Sequence, residues 1–355
     1  MRKLIFTLFV ALFALTTVFA GNPDRQGEAG AHQLLMNPWA RSAGLHSMST
    51  SLVTGVEAFR INVAGMSRID GTQVNLGHAI YFDGVDISMN AIGLAQRVGK
   101  NGAIGFSIMA VDFGEIRVTT ANQPEGTGAT YSPSFFNLGF GYSHIFENKV
   151  SVGVTLRAVS ENIRDATANA LAIDAGVQYV TGARDQFRFG IALRNVGSRM
   201  RYEGEGLSIP NTVTDDGESY QVAVNQRSDD LELQSLLNIG LSYDVISDDM
   251  NRLTLIGNFT SNAFSRDNLG AGLEYTFNEM FTLRGAYRYV LDQGDDIIGE
   301  EIYTGLAGGF SVSVPFNKEE NSGRFAIDYG YRTTKIFNGT HNIGLRIDLP
   351  KASRE

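Results

Sequence analysis

Cysteine is absent from the 355 residues, and tryptophan occurs only once. A chain without cysteine forms no disulfide bonds, offers no thiolate ligands to a metal and has no cysteine for lipid attachment. The seven prolines all fall outside the interiors of the strands predicted below, as a fully hydrogen-bonded sheet requires. After the first twenty residues no long apolar run occurs, which excludes helical membrane spans.

Positive charge is scarce as well. The formal net charge is −9, and the first twenty residues contribute Arg2 and Lys3 but no acid, so the remainder carries −11. Such an acidic chain is not suited to binding nucleic acid. Glycine, by contrast, is abundant, with 40 residues.

The first twenty residues have the pattern of an export signal. Arg2 and Lys3 precede an apolar run over residues 4–19, and the small residue Ala20 predicts cleavage before Gly21. An uncleaved membrane anchor is the alternative interpretation. We therefore expect a signal peptide at residues 1–20.

From about residue 71 onward, apolar and polar residues alternate in short segments separated by turn residues. Val150, Val152 and Val154, for example, alternate with Ser151 and Gly153, which is the period of a β-strand. The alternation is blurred over residues 87–96 and 304–314. We count fourteen segments, beginning near Gln73, Asp86, Ala103, Pro133, Lys149, Ala168, Gln186, Ser235, Arg252, Asn268, Met280, Glu301, Gly323 and Thr340. An even number of alternating segments predicts an all-β fold, a 14-stranded antiparallel transmembrane β-barrel over residues 71–355.

The last segment supports this prediction. From Asn342 to Leu349, apolar residues alternate strictly with polar residues and glycine. This pattern resembles the C-terminal signal by which outer-membrane barrels are recognised for assembly, so we expect the protein in the outer membrane. The long connections at 119–132, 203–234 and 292–300 fall at one end of the predicted barrel, which indicates the extracellular side and places both termini in the periplasm.

Residues 21–70 do not follow the strand pattern. They contain the only tryptophan, Trp39, and a stretch of small residues at 40–51 that predicts a helical turn or two. We interpret this region as a plug, or hatch, that enters the barrel lumen. A periplasmic extension is the alternative.

The predicted inward face is rich in ionisable groups: Arg157, Asp174, Arg188, Arg194, Glu274, Arg284, Arg288, Asp328, Arg332, Arg346 and Asp348. If Phe277 pairs with Phe281 across a tight turn, Glu274 lies opposite Arg284. We interpret these groups as ion pairs that brace the lumen, with a selective channel or ligand pathway as the alternative.

No catalytic, cofactor-binding or metal-binding residues are predicted, and we expect no enzymatic activity. The acidic clusters at 215–218 and 292–301 lack the ligand spacing of a known calcium loop, so solvated loops explain them better than calcium sites. A lipid-facing hydrolase built on His78 or His144 is the alternative. The connection 203–234 is far longer than usual and carries apolar residues among acids. It is interpreted as a docking site for a protein partner, or otherwise as a lid over the barrel mouth.

Several stretches resemble a known family. Residues 40–66, in particular Ala40-Arg41 with Gly44-Leu45 and the later Asn62-Val63-Ala64-Gly65-Met66, are similar to the N-terminal signature of the PorV/PorQ family, relatives of the FadL outer-membrane transporters. Softer similarities lie at residues 160–163, 193–198 and 272–288.

The resemblance implies a function in type IX protein secretion. PorV-like members receive secreted cargo through its C-terminal signal domain and shuttle it to an attachment complex at the cell surface. The expected partners are therefore outer-membrane lipid, proteins of the translocon or attachment complex, and cargo signal domains. The alternative is a FadL-like transporter of hydrophobic small molecules, which requires an apolar pocket beneath the hatch and a break in the barrel wall.

Overall fold

Fourteen long strands make up most of the computed structural model, which describes residues 21–215, 218–291, 301–317 and 322–350. In chain order these strands are β1 (Thr72–Tyr81), β2 (Ile87–Val98), β3 (Gly102–Asp112), β4 (Ser134–Phe146), β5 (Val150–Ile163), β6 (Ala166–Thr181), β7 (Phe187–Gly197), β8 (Leu236–Ser247), β9 (Asn251–Asn262), β10 (Asn268–Phe277), β11 (Phe281–Val290), β12 (Tyr303–Pro315), β13 (Arg324–Thr334) and β14 (Thr340–Leu349).

The sheet closes on itself because β1 pairs with β14. Thr72 lies opposite Leu349, and the pairing continues to Ile80 opposite His341. Each of the fourteen strands is paired with an antiparallel neighbour on both sides, so no strand of the barrel has a free edge. The predicted fold class, a 14-stranded antiparallel barrel, is confirmed, and each strand begins within two residues of its predicted start.

The outward face is apolar and suited to lipid. Val154, Leu156, Leu171 and Leu273 are each about half exposed at mid-strand positions. Exposed aromatic residues flank this band: Phe146, Tyr243, Phe277 and Phe281 near one end, and Phe136, Tyr287 and Tyr289 near the other. Aromatic girdles at both edges of an apolar band are typical of membrane-spanning barrels.

The two ends of the barrel differ in the length of their connections. At the short-turn end, β8 and β9 are joined by residues 248–250, where the Asp248 carboxylate accepts hydrogen bonds from the backbone N–H groups of Met250 and Asn251. These bonds lower the pKa of Asp248 and fix the tight turn. The long-loop end carries the connections 113–133 and 198–235. The third predicted long connection, residues 292–300, lies outside the described residues.

The prediction that both termini lie at the same end is wrong. Gly21 approaches the backbone of Ser265 and Asp267 in the connection between β9 and β10, at the long-loop end. The last strand, β14, ends with Leu349 at the short-turn end. Residues 21–70 carry no period-two signal, so the strand pattern gave no information about the end of the barrel at which Gly21 lies.

Residues 203–234, interpreted from the sequence as a docking site or a lid, have secondary structure of their own. They contain a β-hairpin, Ser208–Asp215 paired with Glu218–Asn225, which projects with exposed side chains on both strands. The strand Glu232–Leu233 pairs in parallel with Ala29–Gly30. The connection therefore builds local structure of its own.

The N-terminal segment, residues 21–71, is made of short helices and turns. Its helices are Pro23–Arg25, His32–Leu34, Ala40–Ala43, Gly55–Glu57, Ala58–Ile61 and Val63–Ser67, of which Ala40–Ala43 confirms the predicted helical turn. No helix among the described residues is long and apolar enough to span a membrane. The division into a signal peptide, a plug and a barrel stays a prediction, and residues 1–20 lie outside the described part.

Candidate functional site

The N-terminal segment lies against inward-facing glycines of the barrel wall. A Cβ atom placed on Gly330 in β13 would lie 2.4 Å from the carbonyl oxygen of Ala40, and one on Gly190 in β7 would lie 2.5 Å from that of Thr50. Both distances are shorter than a carbon and an oxygen allow. Similar close approaches to the segment occur at Gly77, Gly93, Gly105, Gly153, Gly176 and Gly240. The glycines therefore provide the room in which the segment packs.

Barrel side chains hold this segment by its backbone. The Arg157 guanidinium donates to the carbonyl of Phe59 at 2.7 Å and to the Asp174 carboxylate at 2.6 Å. Gln178 donates to the Val53 carbonyl at 3.0 Å, and Asn342 donates to the Asn37 carbonyl at 2.9 Å. Because these carbonyls are buried, the bonds replace the contacts with water that they lost.

Arginines are concentrated at one place in the lumen. Arg60 of the segment faces Arg157 and Arg194 of the wall, and Asp174 is the carboxylate that faces them. All four side chains are buried. Arg60 and Arg194 donate to carbonyl oxygens of residues 33–36, so backbone dipoles solvate part of the charge.

The predicted pairing of Glu274 and Arg284 is confirmed. The two residues are opposite each other in the register of β10 and β11, and Arg284 Nε lies 2.5 Å from Glu274 Oε2. Arg188 makes two parallel bonds to Asp244, at 2.8 and 2.7 Å. The inner wall on this side is therefore braced by ion pairs, as the charge pattern indicated.

The opposite side of the lumen is apolar, which the alternation of apolar and polar residues did not predict. Strands β1 to β3 turn Ala79, Met89, Met109 and Val111 inward, and these side chains pack with Phe59 of the N-terminal segment in one buried cluster. Strand β2 also exposes apolar residues outward, so both of its faces are apolar. This explains why the alternation was blurred over residues 87–96.

Half-buried aromatic rings continue this cluster toward the long-loop end. Phe113 and Phe135 meet edge to face with ring centroids 4.7 Å apart. Phe82 stacks on Phe337 at 5.3 Å and lies 5.7 Å from Tyr303. Apolar side chains are therefore in continuous contact from these five residues, which we call the aromatic mouth, to the buried cluster around Phe59, and we call the whole set the apolar track.

The second blurred stretch, at residues 304–314, has a different cause. The register between β12 and β13 shifts between Tyr303 and Ala307, and Gly305 adopts a positive φ of 91°. The ladder between β11 and β12 is also short, because its pairing stops at Tyr287 and Leu306. Neighbouring strands are nevertheless hydrogen-bonded all the way round the described barrel.

The remaining sequence candidates are dispersed. On the outward face, His78 contacts the Asn90 amide at 2.8 Å and His144 contacts the Tyr142 hydroxyl at 3.1 Å. Within the described ranges, no three His, Asp or Glu side chains are grouped closely enough to hold a metal ion. Both acidic clusters include residues outside those ranges, at 216–217 and 292–300.

Comparisons with solved structures agree with the fold. The CymD monoaromatic hydrocarbon channel matches with a TM-score of 0.54 and 15% identity, over 88% of this chain and 97% of that chain. The toluene transporter TbuX of Ralstonia pickettii and a FadL homologue of Pseudomonas aeruginosa each match with a TM-score of 0.51 over the same shares, at 14% and 12% identity. No protein-family model and no curated protein sequence matches the chain. The chain thus has the fold of the FadL-type outer-membrane barrels, consistent with the predicted location in the outer membrane.

Proposed function

We propose that the protein is an outer-membrane channel for hydrophobic small molecules, gated by its N-terminal segment. The observation that carries this proposal is the apolar track from the aromatic mouth to the cluster around Phe59. Solved barrels of the same fold include a hydrocarbon channel and a toluene transporter. Apolar lining is what a hydrophobic ligand needs, since it regains there the free energy that its hydration costs.

The charged side of the lumen does not oppose this function. On that side Arg157 and Gln178 donate to the backbone of the N-terminal segment, and Arg284 pairs with Glu274, so these groups hold the gate and leave the opposite wall to the ligand. Because the strands are paired all round, we propose a route along the lumen that opens when the segment moves, and not a route through the wall.

A substitution at the aromatic mouth tests the proposal. We expect Phe113→Ala to weaken binding of a hydrophobic fluorescent probe such as N-phenyl-1-naphthylamine by roughly 5- to 30-fold, because a buried aromatic contact of about 1 to 2 kcal/mol is lost. Binding to the purified barrel is measured by the fluorescence of the probe. Ile336→Ala, at a 78% exposed position near the same end, is the matched control. Equal binding by wild type and Phe113→Ala would contradict the assignment of the track.

A second candidate function, the PorV-like part in type IX secretion, is favoured by the projecting hairpin. Ile209 lies opposite Val224 and Val213 opposite Tyr220, so these side chains share one face, and all four are exposed. An isolated two-stranded hairpin is marginally stable in water, and an apolar exposed face is suited to docking a protein. On this hypothesis the partners are cargo signal domains and components of the secretion machinery.

Replacing residues 207–224 by a Gly/Ser linker separates the two functions. If the barrel is a hydrophobic channel, the variant assembles and still binds the probe, while surface display of cargo in the native host is unchanged. If the hairpin receives cargo, display stops although the amount of barrel is normal. The measurements are surface labelling of cargo and heat-modifiable gel mobility of the barrel.

A further inference from the structure

A cavity of about 470 Å³ opens at the short-turn end, between the N-terminal segment and the inner wall. Its size falls in the range of small-molecule sites, roughly 300 to 1,000 Å³. Arg41, Ser49 and Arg68 of the segment form one side, and side chains of β6, β7 and β9 to β14 form the other. The cavity shares Val53 with the buried apolar cluster, but it opens at the short-turn end, whereas the aromatic mouth lies at the long-loop end.

Among the described residues, positive charge dominates the lining. Among the described residues that line the cavity, seven are arginines (Arg41, Arg68, Arg188, Arg252, Arg284, Arg324 and Arg346) and four are acids (Asp185, Glu57, Glu274 and Glu279). Four of these arginines are paired, for instance Arg41 with Glu57 at 3.1 Å. The other three have no carboxylate partner within the described part of the chain.

Each of these three arginines has donor groups without a partner among the described residues. Arg68 donates to the Ser151 hydroxyl and to the Lys149 carbonyl, and Arg324 donates to Ser313 and to the Glu279 carbonyl. The guanidinium of Arg252 makes no hydrogen bond or ion pair with any described residue. Arginine forms planar, two-point hydrogen bonds with carboxylate and phosphate groups, and these bonds are roughly twice as strong as neutral ones.

A buried hydroxyl adds a second, independent observation. Ser49 is only 4% exposed, lines the cavity, and its Oγ atom has no hydrogen-bond partner among the described residues. A buried hydroxyl without a partner costs free energy that a bound polar group would recover. Donors without a described partner thus lie on both sides of the cavity, on the segment and on the wall.

We infer that this cavity binds a small hydrophilic anion that carries carboxylate or phosphate groups, taken up from the side that the short turns face. Such an anion is held between Arg68 of the segment and arginines of the wall, among them Arg252. Its binding therefore stabilises the closed position of the N-terminal segment. This site does not depend on the proposed hydrophobic substrate, because its ligand and its entrance are different.

The test uses the purified full-length barrel in detergent, with citrate and inorganic phosphate as separate probes and ionic strength held constant with sodium chloride. We expect calorimetry to detect binding of at least one probe, and that probe to raise the unfolding temperature of the wild type. Arg252→Gln should weaken its affinity about tenfold or more, the typical effect of losing one charge-assisted hydrogen bond. This variant should fold, since Arg252 makes no hydrogen bond or ion pair with a described residue, and its electrostatic neighbour Asp244 keeps its bonds to Arg188 and Thr254.

Arg199→Gln is the matched control, because it removes the same charge from an exposed side chain at the long-loop end. It should bind the probe with wild-type affinity. If citrate binds and phosphate does not, the ligand class is narrowed to carboxylates, and the reverse result narrows it to phosphates. The inference is overturned if the wild type binds neither probe, or if Arg199→Gln and Arg252→Gln lower the affinity equally.

Discussion

Gly330→Val is expected to convert the closed barrel into an open one. The added side chain would begin 2.4 Å from the carbonyl oxygen of Ala40 and 2.8 Å from the backbone nitrogen of Gly44. Because both are backbone atoms of a turn packed on the wall, they have no rotamer by which to move aside. Overpacking of this kind typically costs about 1 to 3 kcal/mol. The N-terminal segment is the weaker partner of the contact, since the barrel strand is held by hydrogen bonds on both sides.

The opening is measured in two ways. In planar bilayers, the variant should show large, stable conductance steps that the wild type lacks. The only tryptophan, Trp39, is 3% exposed and lies directly before Ala40, so its fluorescence emission should shift to the red as water reaches it.

Gly285→Val is the matched control. Gly285 is an outward strand glycine in β11, and no atom lies within 4 Å of a Cβ placed there. We expect this variant to retain the conductance and the emission of the wild type. If Gly330→Val also retains both, the segment does not close the lumen, and the gating proposal is wrong.

Leu345→Arg is expected to abolish assembly of the barrel. Leu345 faces outward from the middle of β14, with 39% of its surface exposed. A charged side chain on the lipid face costs about 2 to 4 kcal/mol near the bilayer midplane. Since proteins are stabilised by only about 5 to 15 kcal/mol, the last strand should then fail to insert.

Arg346→Leu, one residue further on, is the informative comparison. Its side chain points inward and lies 3.5 Å from Asp328, which also accepts a hydrogen bond from the Ser311 hydroxyl. Losing the arginine removes an ion pair from the lumen wall but places no charge in lipid. We expect this variant in the outer-membrane fraction with heat-modifiable mobility, and Leu345→Arg absent from that fraction. Similar amounts of the two variants would show that the inward and outward faces of β14 are assigned wrongly.

The resemblance and the structural comparisons lead to different functions. The segments that resemble the PorV/PorQ family predicted type IX secretion, whereas the solved structures of the same fold are described as hydrocarbon channels or transporters. The resemblance implies a barrel of the same plan, so the fold alone does not distinguish the two functions. The apolar track favours the channel, and the hairpin favours a protein partner. Replacing residues 207–224 by a Gly/Ser linker tests probe binding and cargo display separately.

The sequence by itself determined the strands and their facing. Alternation with a period of two is a local property, and a tight turn fixes the register of the strands on either side, so Glu274 opposite Arg284 was predictable from residues ten positions apart. The even strand number, the lipid-facing residues of β14 and the inward position of the charged residues follow from the same local pattern.

Only the tertiary structure decided how the lumen is filled. The contact between Ala40 and Gly330 joins residues far apart in the sequence. Nothing in the local sequence distinguishes a glycine against which another backbone packs, such as Gly330, from one with open space beside it, such as Gly285. In β2, the inward Met89, Ala91 and Ala95 blurred a signal that depends on contrast between the two faces of a strand. The course of the N-terminal segment, the apolar track and the arginine-lined cavity depend on which distant surfaces meet, and local periodicity carries no information about that.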